Sequence, residues 1–217
     1  EMPGVEYAID TLFELLIGHG TSFTDLARLT THGKSYPVLI SQGIKGENLH
    51  DILLDPSKSE QLKKLDPLAF SELFMASLLV NFEDAKPDNF ILEPLSPDSY
   101  RLVAIDNDHA FVPPLVKENG KTVQVKNILY CLDQMNQPLH PHARERFLSF
   151  TPERLLRLWL TRLVAQNERY TTLFSTTERK TLLKNSTQRE GAVIPIPLSP
   201  KAIADIYQKI QYLQAAL

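Results

Sequence analysis

Two short polar stretches carry the residue types that could do chemistry in this sequence. The first, DAKPDN at 84–89, places two carboxylates around a Lys-Pro pair and ends in an asparagine. The second, IDNDH at 105–109, adds two more carboxylates after an apolar run. Carboxylates can exchange a proton or bind a cation. They are also ordinary turn formers, but a turn alone does not explain why a second acidic cluster follows a strand.

The flanking sequence predicts helices and strands that bring these stretches into loops. Apolar residues at helical spacing indicate helices, and β-branched runs bounded by turn formers indicate strands. Helices are predicted at 5–17, 49–54 and 67–82, and strands at 25–30, 36–41, 90–95 and 100–106, with turns at 32–35 and 96–99. The first acidic stretch then lies between a helix and a strand, and the second lies at the end of the next strand.

The remainder of the chain predicts a helical body. Helical patterns occupy 125–135, 142–150, 151–170 and 199–217, and the last two open with Thr-Pro and Ser-Pro, which are strong start signals. Cys131 falls in the first of these segments, where we expect a buried, inert thiol. Trp159 lies on an apolar stripe, so we expect it in the core.

Composition excludes several classes of protein. The 217 residues are 43% hydrophobic with a formal net charge of -3, so no basic surface predicts a nucleic-acid partner. No apolar run approaches the roughly 20 residues that a membrane span needs. A single cysteine cannot form an internal disulfide and fits a reducing compartment. We therefore expect a cytoplasmic protein without a transmembrane segment.

The order of the elements resembles that of the protein-kinase fold after its third strand. Asp84 is followed by lysine and asparagine at the spacing of the kinase catalytic loop, and AID at 104–106 resembles the strand that ends in the metal-binding aspartate. This resemblance implies an α+β, kinase-like fold, mainly the helical C-lobe with a partial N-lobe of one helix and two strands. The partial N-lobe and the start of the hinge would be 1–42, and the C-lobe 43–217.

The resemblance also implies site residues, with ATP as the nucleotide and Mg²⁺, or Mn²⁺, as the metal. Asp84 would accept or orient the proton of an acceptor hydroxyl, and Lys86 would neutralise charge on the moving phosphoryl group. Asn89 and Asp106 would hold the metal ions that bridge the phosphates. Asp108 is either a further metal ligand or a solvated hydrogen-bond partner.

The remaining nucleotide contacts are expected from the first helix and the hinge. Glu6 is the candidate partner of an ATP-binding lysine, with Glu14 as the alternative, and a solvated helix face is a rival explanation of both. Backbone groups of the hinge would meet the adenine, at Ile40, Ser41, Gln42 and Gly43.

Several departures separate the sequence from the main protein-kinase family. Glu83 stands where an arginine normally precedes the catalytic aspartate, Asn107 and Asp108 stand in place of Phe-Gly, and no Ala-Pro-Glu follows. The pattern is similar to the atypical kinases that include actin-fragmin kinase and the phosphatidylinositol kinases. His109 completes the acidic cluster, but we expect it to be structural because Mg²⁺ prefers oxygen ligands.

A glycine-rich loop and its lysine are missing from the expected places. HGKS at 32–35 lacks the first glycine of a P-loop, since position 28 is an arginine, and Lys45 follows the expected hinge. Either the chain begins inside the domain, or these strands belong to another segment, or the protein is a pseudokinase; the EMPG start favours the first.

The resulting functional expectation is an atypical protein kinase that phosphorylates serine or threonine in a protein substrate, a cytoskeletal one by resemblance alone. The alternatives are a phosphatidylinositol-type lipid kinase, a non-catalytic kinase-fold interaction module and an acidic-site phosphohydrolase. The absence of a polybasic run favours a protein substrate over a lipid.

Overall fold

The computed structural model describes residues 3–111, 115–116, 123–124, 126–178, 180 and 198–217. These residues form an α+β fold of helices with small antiparallel sheets. The helices are α1 (Pro3–Leu16), α2 (Leu49–Leu54), α3 (Ser59–Lys63), α4 (Pro67–Val80), α5 (Pro141–Ser149), α6 (Pro152–Thr172) and α7 (Pro200–Ala216). The strands are β1 (Thr24–Thr31), β2 (Lys34–Ser41), β3 (Glu47–Asn48), β4 (Phe90–Ser96), β5 (Ser99–Ala104), β6 (Leu115–Val116) and β7 (Val123–Gln124).

The β1–β2 hairpin confirms the first predicted strand pair. Its register runs from Thr24 opposite Ser41 to Thr31 opposite Lys34. The two turn residues, His32 and Gly33, both have positive φ, 48° and 70°. Positive φ at both central positions matches the right-handed twist of the flanking strands, which explains why a two-residue turn suffices here.

The outer edge of β2 carries no strand among the described residues, because this sheet has two strands only. Gln42 donates its backbone N–H to the carbonyl of Phe23 at 2.8 Å. By the alternation of an antiparallel ladder, Leu39 and Ser41 then direct their backbone groups away from β1. Pro37 lies in the same strand and has no N–H, which is typical of an edge strand.

The β4–β5 hairpin, also predicted, positions both acidic stretches. Asp66 is the N-cap of helix α4 and accepts a hydrogen bond from the N–H of Ala69 at 2.8 Å. Asn81 is the C-cap and adopts the left-handed conformation. The 84–89 loop connects this helix to β4. Because Phe90 pairs with Ala104 across the hairpin, the end of β5 returns to the start of β4, and the second acidic stretch emerges beside the first.

Gly46 fixes how closely the 42–46 segment approaches this hairpin. A Cβ atom at this position would lie 2.2 Å from the carbonyl oxygen of Leu92, a distance that no side chain tolerates. Glu47 then pairs with Leu92 and Asn48 with Ile91 in the short β3. The segment therefore lies directly against the backbone of β4.

The segment after the acidic clusters differs from the prediction. Instead of one helix over 125–135, two short 3-10 helices form, at Ile128–Cys131 and Asp133–Asn136. Leu129 and Leu132, three residues apart, point into the core, and a 3-10 turn brings such positions into line. Cys131 lies between them and is exposed, so the expectation of a buried thiol was wrong.

The helical body otherwise follows the prediction. Ser199 caps α7 by accepting a hydrogen bond from the N–H of Ala202 at 3.1 Å, whereas Thr151 occupies the N-cap position of α6 without a side-chain bond. Trp159 is fully buried, as expected, in a cluster that also contains Phe13 and Phe90. Within the described ranges, none of the helices has the length and apolar character of a membrane span.

Candidate functional site

The 84–89 loop is held in shape by Asn89. Its side-chain Nδ2 donates to the backbone carbonyl of Asp84 at 2.7 Å and lies 3.4 Å from the Oδ2 atom of the same residue. Its backbone N–H donates to the carbonyl of Lys86 at 3.0 Å. Asn89 is only 7% exposed, so these bonds form with little competition from water. The side-chain oxygen lies at the other end of the amide and is the atom that could bind a cation.

Asp84 and Lys86 form an ion pair at the surface of this loop. Lys86 Nζ lies 2.7 Å from Asp84 Oδ2, and about half of each side chain is exposed. The hydrogen bond from Lys86 lowers the pKa of Asp84, and the same bond raises the pKa of Lys86. Asp84 is therefore ionised at neutral pH, and an incoming anion would compete with it for the lysine.

Asp106 follows β5 in an unusual backbone conformation. Its φ is +54°, a region that residues other than glycine rarely occupy and that clusters at functional sites. The neighbouring Ile105 donates its N–H to the carbonyl of Asn89 at 2.9 Å. Asn107 donates its side-chain amide to the carbonyl of Ala104 at 3.3 Å. The two acidic stretches are therefore joined by main-chain bonding across the hairpin.

A narrow cavity of about 10 Å³, the loop cavity, lies where the two stretches meet. Asp84, Asn89 and Asp106 all line it, together with Phe82, Ala85, Phe90, Asn107 and His109. It has room for about one water molecule. Three predicted site residues therefore face one common space.

A larger cavity, the α1 cavity, opens on the other side of Asp106. Its volume is about 330 Å³, which suits a small-molecule ligand. The predicted residues Glu6, Ser41, Gln42, Gly43 and Asp106 line it, together with Asp10, Thr21, Ser22, Thr24, Ile44, Ile91, Ala104, Ile105 and Asn107. Asp106 and Asn107 line both cavities. The described lining residues include three acids and no lysine or arginine.

Asp10 is a member of the α1 cavity that the sequence prediction missed. It accepts hydrogen bonds from the hydroxyl of Thr21 at 3.1 Å and from the N–H of Thr24 at 3.2 Å. Burial raises the pKa of the Asp10 carboxyl. The available signal was its position one turn after Glu6, on the same helical face. We refer to Glu6 and Asp10 as the cavity carboxylates.

The structure separates Glu6 from its alternative. Glu14 accepts a hydrogen bond from Arg162 at 2.8 Å, and 60% of its side chain is exposed. It lines a different cavity of about 340 Å³, which also contains Lys45. Neither Glu14 nor Lys45 lines the cavity that contains Asp106, whereas Glu6 does. Glu6 is therefore the better placed of the two glutamates.

Three predicted site residues, Ile40, Lys86 and Asp108, line neither of these two cavities. Ile40 is 60% exposed and is absent from the lining of the α1 cavity. Asp108 is 11% exposed in its side chain, with one carboxylate oxygen 3.6 Å from His109 Nε2. The backbone carbonyl of His109 accepts a hydrogen bond from the N–H of Glu83 at 2.8 Å, which agrees with a structural role for the histidine.

The largest of these cavities lies elsewhere. It measures about 450 Å³, between α3, α4 and the 133–139 segment, and contains none of the predicted site residues. Its lining is mainly apolar side chains, including Phe70, Phe74 and Leu139. Volume alone would select this cavity, but the polar groups that could handle a charged ligand converge around Asp106.

The described part of the chain contains no group of three or more histidine, cysteine or acidic side chains that could hold a metal by themselves. Mg²⁺ usually binds through one or two carboxylates and completes its shell with water and substrate phosphates. Asp106 and the side-chain oxygen of Asn89 fit that pattern. No protein-family model matches the sequence, and no curated protein matches it significantly.

Proposed function

We propose that the protein is an ATP-dependent phosphotransferase of the atypical kinase type, which transfers the γ-phosphate to a hydroxyl of a protein substrate. The observation that carries this proposal is the position of Asp106. It lines the α1 cavity with Glu6 and Gln42, and it lines the loop cavity with Asp84 and Asn89. A nucleotide in the first cavity would direct its phosphates toward the second.

Each side chain of the loop has a task in this reaction. Asp84, ionised and half-exposed, would receive the proton of the acceptor hydroxyl as the oxygen attacks phosphorus. Lys86 already contacts Asp84 and would turn to the phosphoryl oxygens as their charge grows. Mg²⁺ bound by Asp106 and Asn89 would neutralise the phosphates. Positioning and charge stabilisation supply most of the catalysis in phosphoryl transfer.

The α1 cavity also indicates what else the reaction requires. Three carboxylates line the α1 cavity, its described lining contains no lysine or arginine, and like charges would repel a nucleotide that enters it. Ser41, the last residue of β2, lines the same cavity, and the outer edge of β2 has no strand partner among the described residues. We infer that the glycine-rich loop and the lysine expected of a kinase are supplied to this cavity by a further segment of the protein. Residues 1–217 alone should then transfer phosphate weakly, and a chain extended toward the N-terminus should transfer it strongly.

Calorimetry with Mg·ATP tests the nucleotide site. Asp106→Ala should abolish the Mg²⁺-dependent part of ATP binding, because the phosphates lose their bridging ion. Asp98→Ala is the matched control, since Asp98 is exposed and pairs with Lys64 far from either cavity. Unchanged Mg²⁺ dependence in Asp106→Ala would remove the residue from the site. Binding without transfer by the extended chain to any protein in a lysate would instead identify a nucleotide-binding module.

A further inference from the structure

Trp159, on α6, contacts both helix α1 and the segment that follows Asp106. Its indole Nε1 donates to the backbone carbonyl of Ala8 at 2.8 Å, and Ala8 lies between the two cavity carboxylates. Its ring lies 5.9 Å, centroid to centroid, from that of Phe111, five residues after Asp106. Phe111 in turn donates its N–H to the carbonyl of Val80 at 2.7 Å. One buried side chain therefore joins helix α1 to the segment that carries Asp106.

The same face of α6 continues this attachment along its length. Arg162, three residues after Trp159, donates to Glu14 at 2.8 Å. Gln166, one turn further, donates to Asp25 Oδ1 at 2.8 Å, and Asp25 belongs to β1. Spacings of three and four residues place these donors on one side of the helix. Helix α6 therefore forms hydrogen bonds to α1 at two positions along its length, Trp159 and Arg162, and to the β1–β2 hairpin at a third, Gln166.

Burial makes the Trp159 contact the strongest constraint of the three. Both Trp159 and Ala8 are 0% exposed, so water cannot replace either partner. If α1 slid or rotated away, the indole N–H would be left buried without an acceptor. Such a loss disfavours the moved state by about 5- to 150-fold. The helix that carries the cavity carboxylates therefore has one strongly preferred position.

We propose that α6 is a strut that fixes the cavity carboxylates relative to Asp106, and that Trp159 is the positioning residue of this strut. The functional part of the inference rests on the proposed nucleotide site, whereas the mechanical part does not. In this arrangement α1 does not swing to switch the site on. Helix α6, which begins more than 40 residues after the last site residue, holds the site in its binding conformation.

Hydrogen–deuterium exchange on the ligand-free protein tests the mechanical part. Trp159→Phe keeps a buried aromatic ring but removes the N–H donor, so the amides of α1 should exchange about ten-fold faster. Ile210→Ala on α7 is the matched control, since Ile210 is 2% exposed and its loss lowers stability without removing the hydrogen bond from Trp159 to Ala8. If α1 exchanges no faster in Trp159→Phe than in Ile210→Ala, the strut is wrong.

Mg·ATP titration of the same variants tests the functional part. Trp159→Phe should weaken binding about ten-fold, whereas Ile210→Ala should stay within two-fold. Faster exchange of α1 with unchanged affinity would overturn the positioning role. If the wild-type protein binds no Mg·ATP, the proposed function fails while the exchange data still decide the strut. Should Trp159→Phe not fold, the Arg162→Ala/Gln166→Ala double variant replaces it, with faster exchange expected in the second half of α1.

Discussion

Glu72 and His19 lie 2.7 Å apart, Oε2 to Nε2, in a region that water hardly reaches. The Glu72 side chain is 4% exposed, and its other oxygen lies 2.9 Å from Arg146 Nε, an ion pair without hydrogen-bond geometry. His19 follows α1, and the next residue, Gly20, accepts the N–H of Ala104 at 2.8 Å. Glu72 therefore anchors the segment between α1 and β1 to the middle of α4.

Glu72→Ala should reduce the free energy of unfolding by about 2 to 3 kcal/mol, because it removes a buried acceptor from a partly buried histidine. Urea denaturation measures the change. Glu60→Ala is the matched control, since Glu60 pairs with Lys63 at the surface, where such pairs contribute less than about 1 kcal/mol. If both variants lost the same free energy of unfolding, the anchoring role of Glu72 would be contradicted.

Asp84→Asn should act on turnover rather than on binding. The proposed proton transfer develops in the transition state, so the rate should fall by about 10²- to 10⁴-fold, the usual contribution of a positioned acid-base group. ATP affinity should stay within a few-fold. Radiolabel transfer by the extended chain measures the rate, and Glu83→Gln, one residue away and half-exposed, should retain it. An Asp84→Asn variant as fast as wild type would exclude this role for the loop.

Asp10→Asn should raise the free energy of unfolding relative to wild type, and this gain should grow as the pH rises. Burial raises the pKa of Asp10 above its ordinary 3.8, so the folded state binds this proton more readily than the unfolded state. The cost of ionising Asp10 therefore appears as the pH rises from the ordinary value through the raised one. Without that cost, an asparagine can accept the Thr24 N–H through its oxygen and donate its amide N–H to the Thr21 hydroxyl.

Urea denaturation between pH 3 and pH 7 measures this dependence. The advantage of Asp10→Asn should be absent at the acidic end and grow toward neutrality. Asp98→Asn provides a control of opposite sign, because the hydrogen bond from Lys64 lowers the pKa of Asp98. Asp98→Asn should lower the free energy of unfolding near neutral pH, and this loss should disappear as the pH falls through the lowered pKa of Asp98. Parallel pH curves for Asp10→Asn and wild type would contradict the assigned burial effect.

Cys131 should react with a water-soluble thiol reagent in the native protein. Its side chain is exposed between two buried leucines, so labelling needs no unfolding. One equivalent should react at a rate close to that of the denatured chain, as absorbance of the released thiolate would record. Labelling that requires denaturant would restore the buried thiol predicted from sequence.

Local signals in the sequence predicted most of the elements correctly. Alternation and turn formers placed β1, β2, β4 and β5, and Pro-containing N-termini placed α6 and α7. These signals depend on neighbouring residues only. The prediction of one helix over 125–135 was wrong because the same apolar spacing suits an α-helix and two 3-10 turns, and the buried pair Leu129 and Leu132 selects between them.

The sequence pointed to the candidate residues that lie in short local motifs. It did not point to those that only the fold brings to the site. Asp84, Asn89 and Asp106 were expected from the resemblance of their short stretches to kinase motifs, and the structure places them around one cavity. Asp10 had no local motif, because its importance depends on Thr21 and Thr24 returning to it from the next segment. Trp159 likewise appeared only as a core residue, since nothing near it in sequence announces a partner at Ala8.

Gly43 and Gly46 lie three positions apart in one segment, yet the space around them differs sharply. Nothing lies within 4 Å of a Cβ atom built at Gly43, whereas one at Gly46 would lie 2.2 Å from Leu92 O. In a saturation library, position 43 should accept many residues and position 46 almost none. Selection on the 42–46 segment, part of which lines the α1 cavity, would then act through Gly46, a residue without a side chain, and a screen for chemically reactive positions would overlook it.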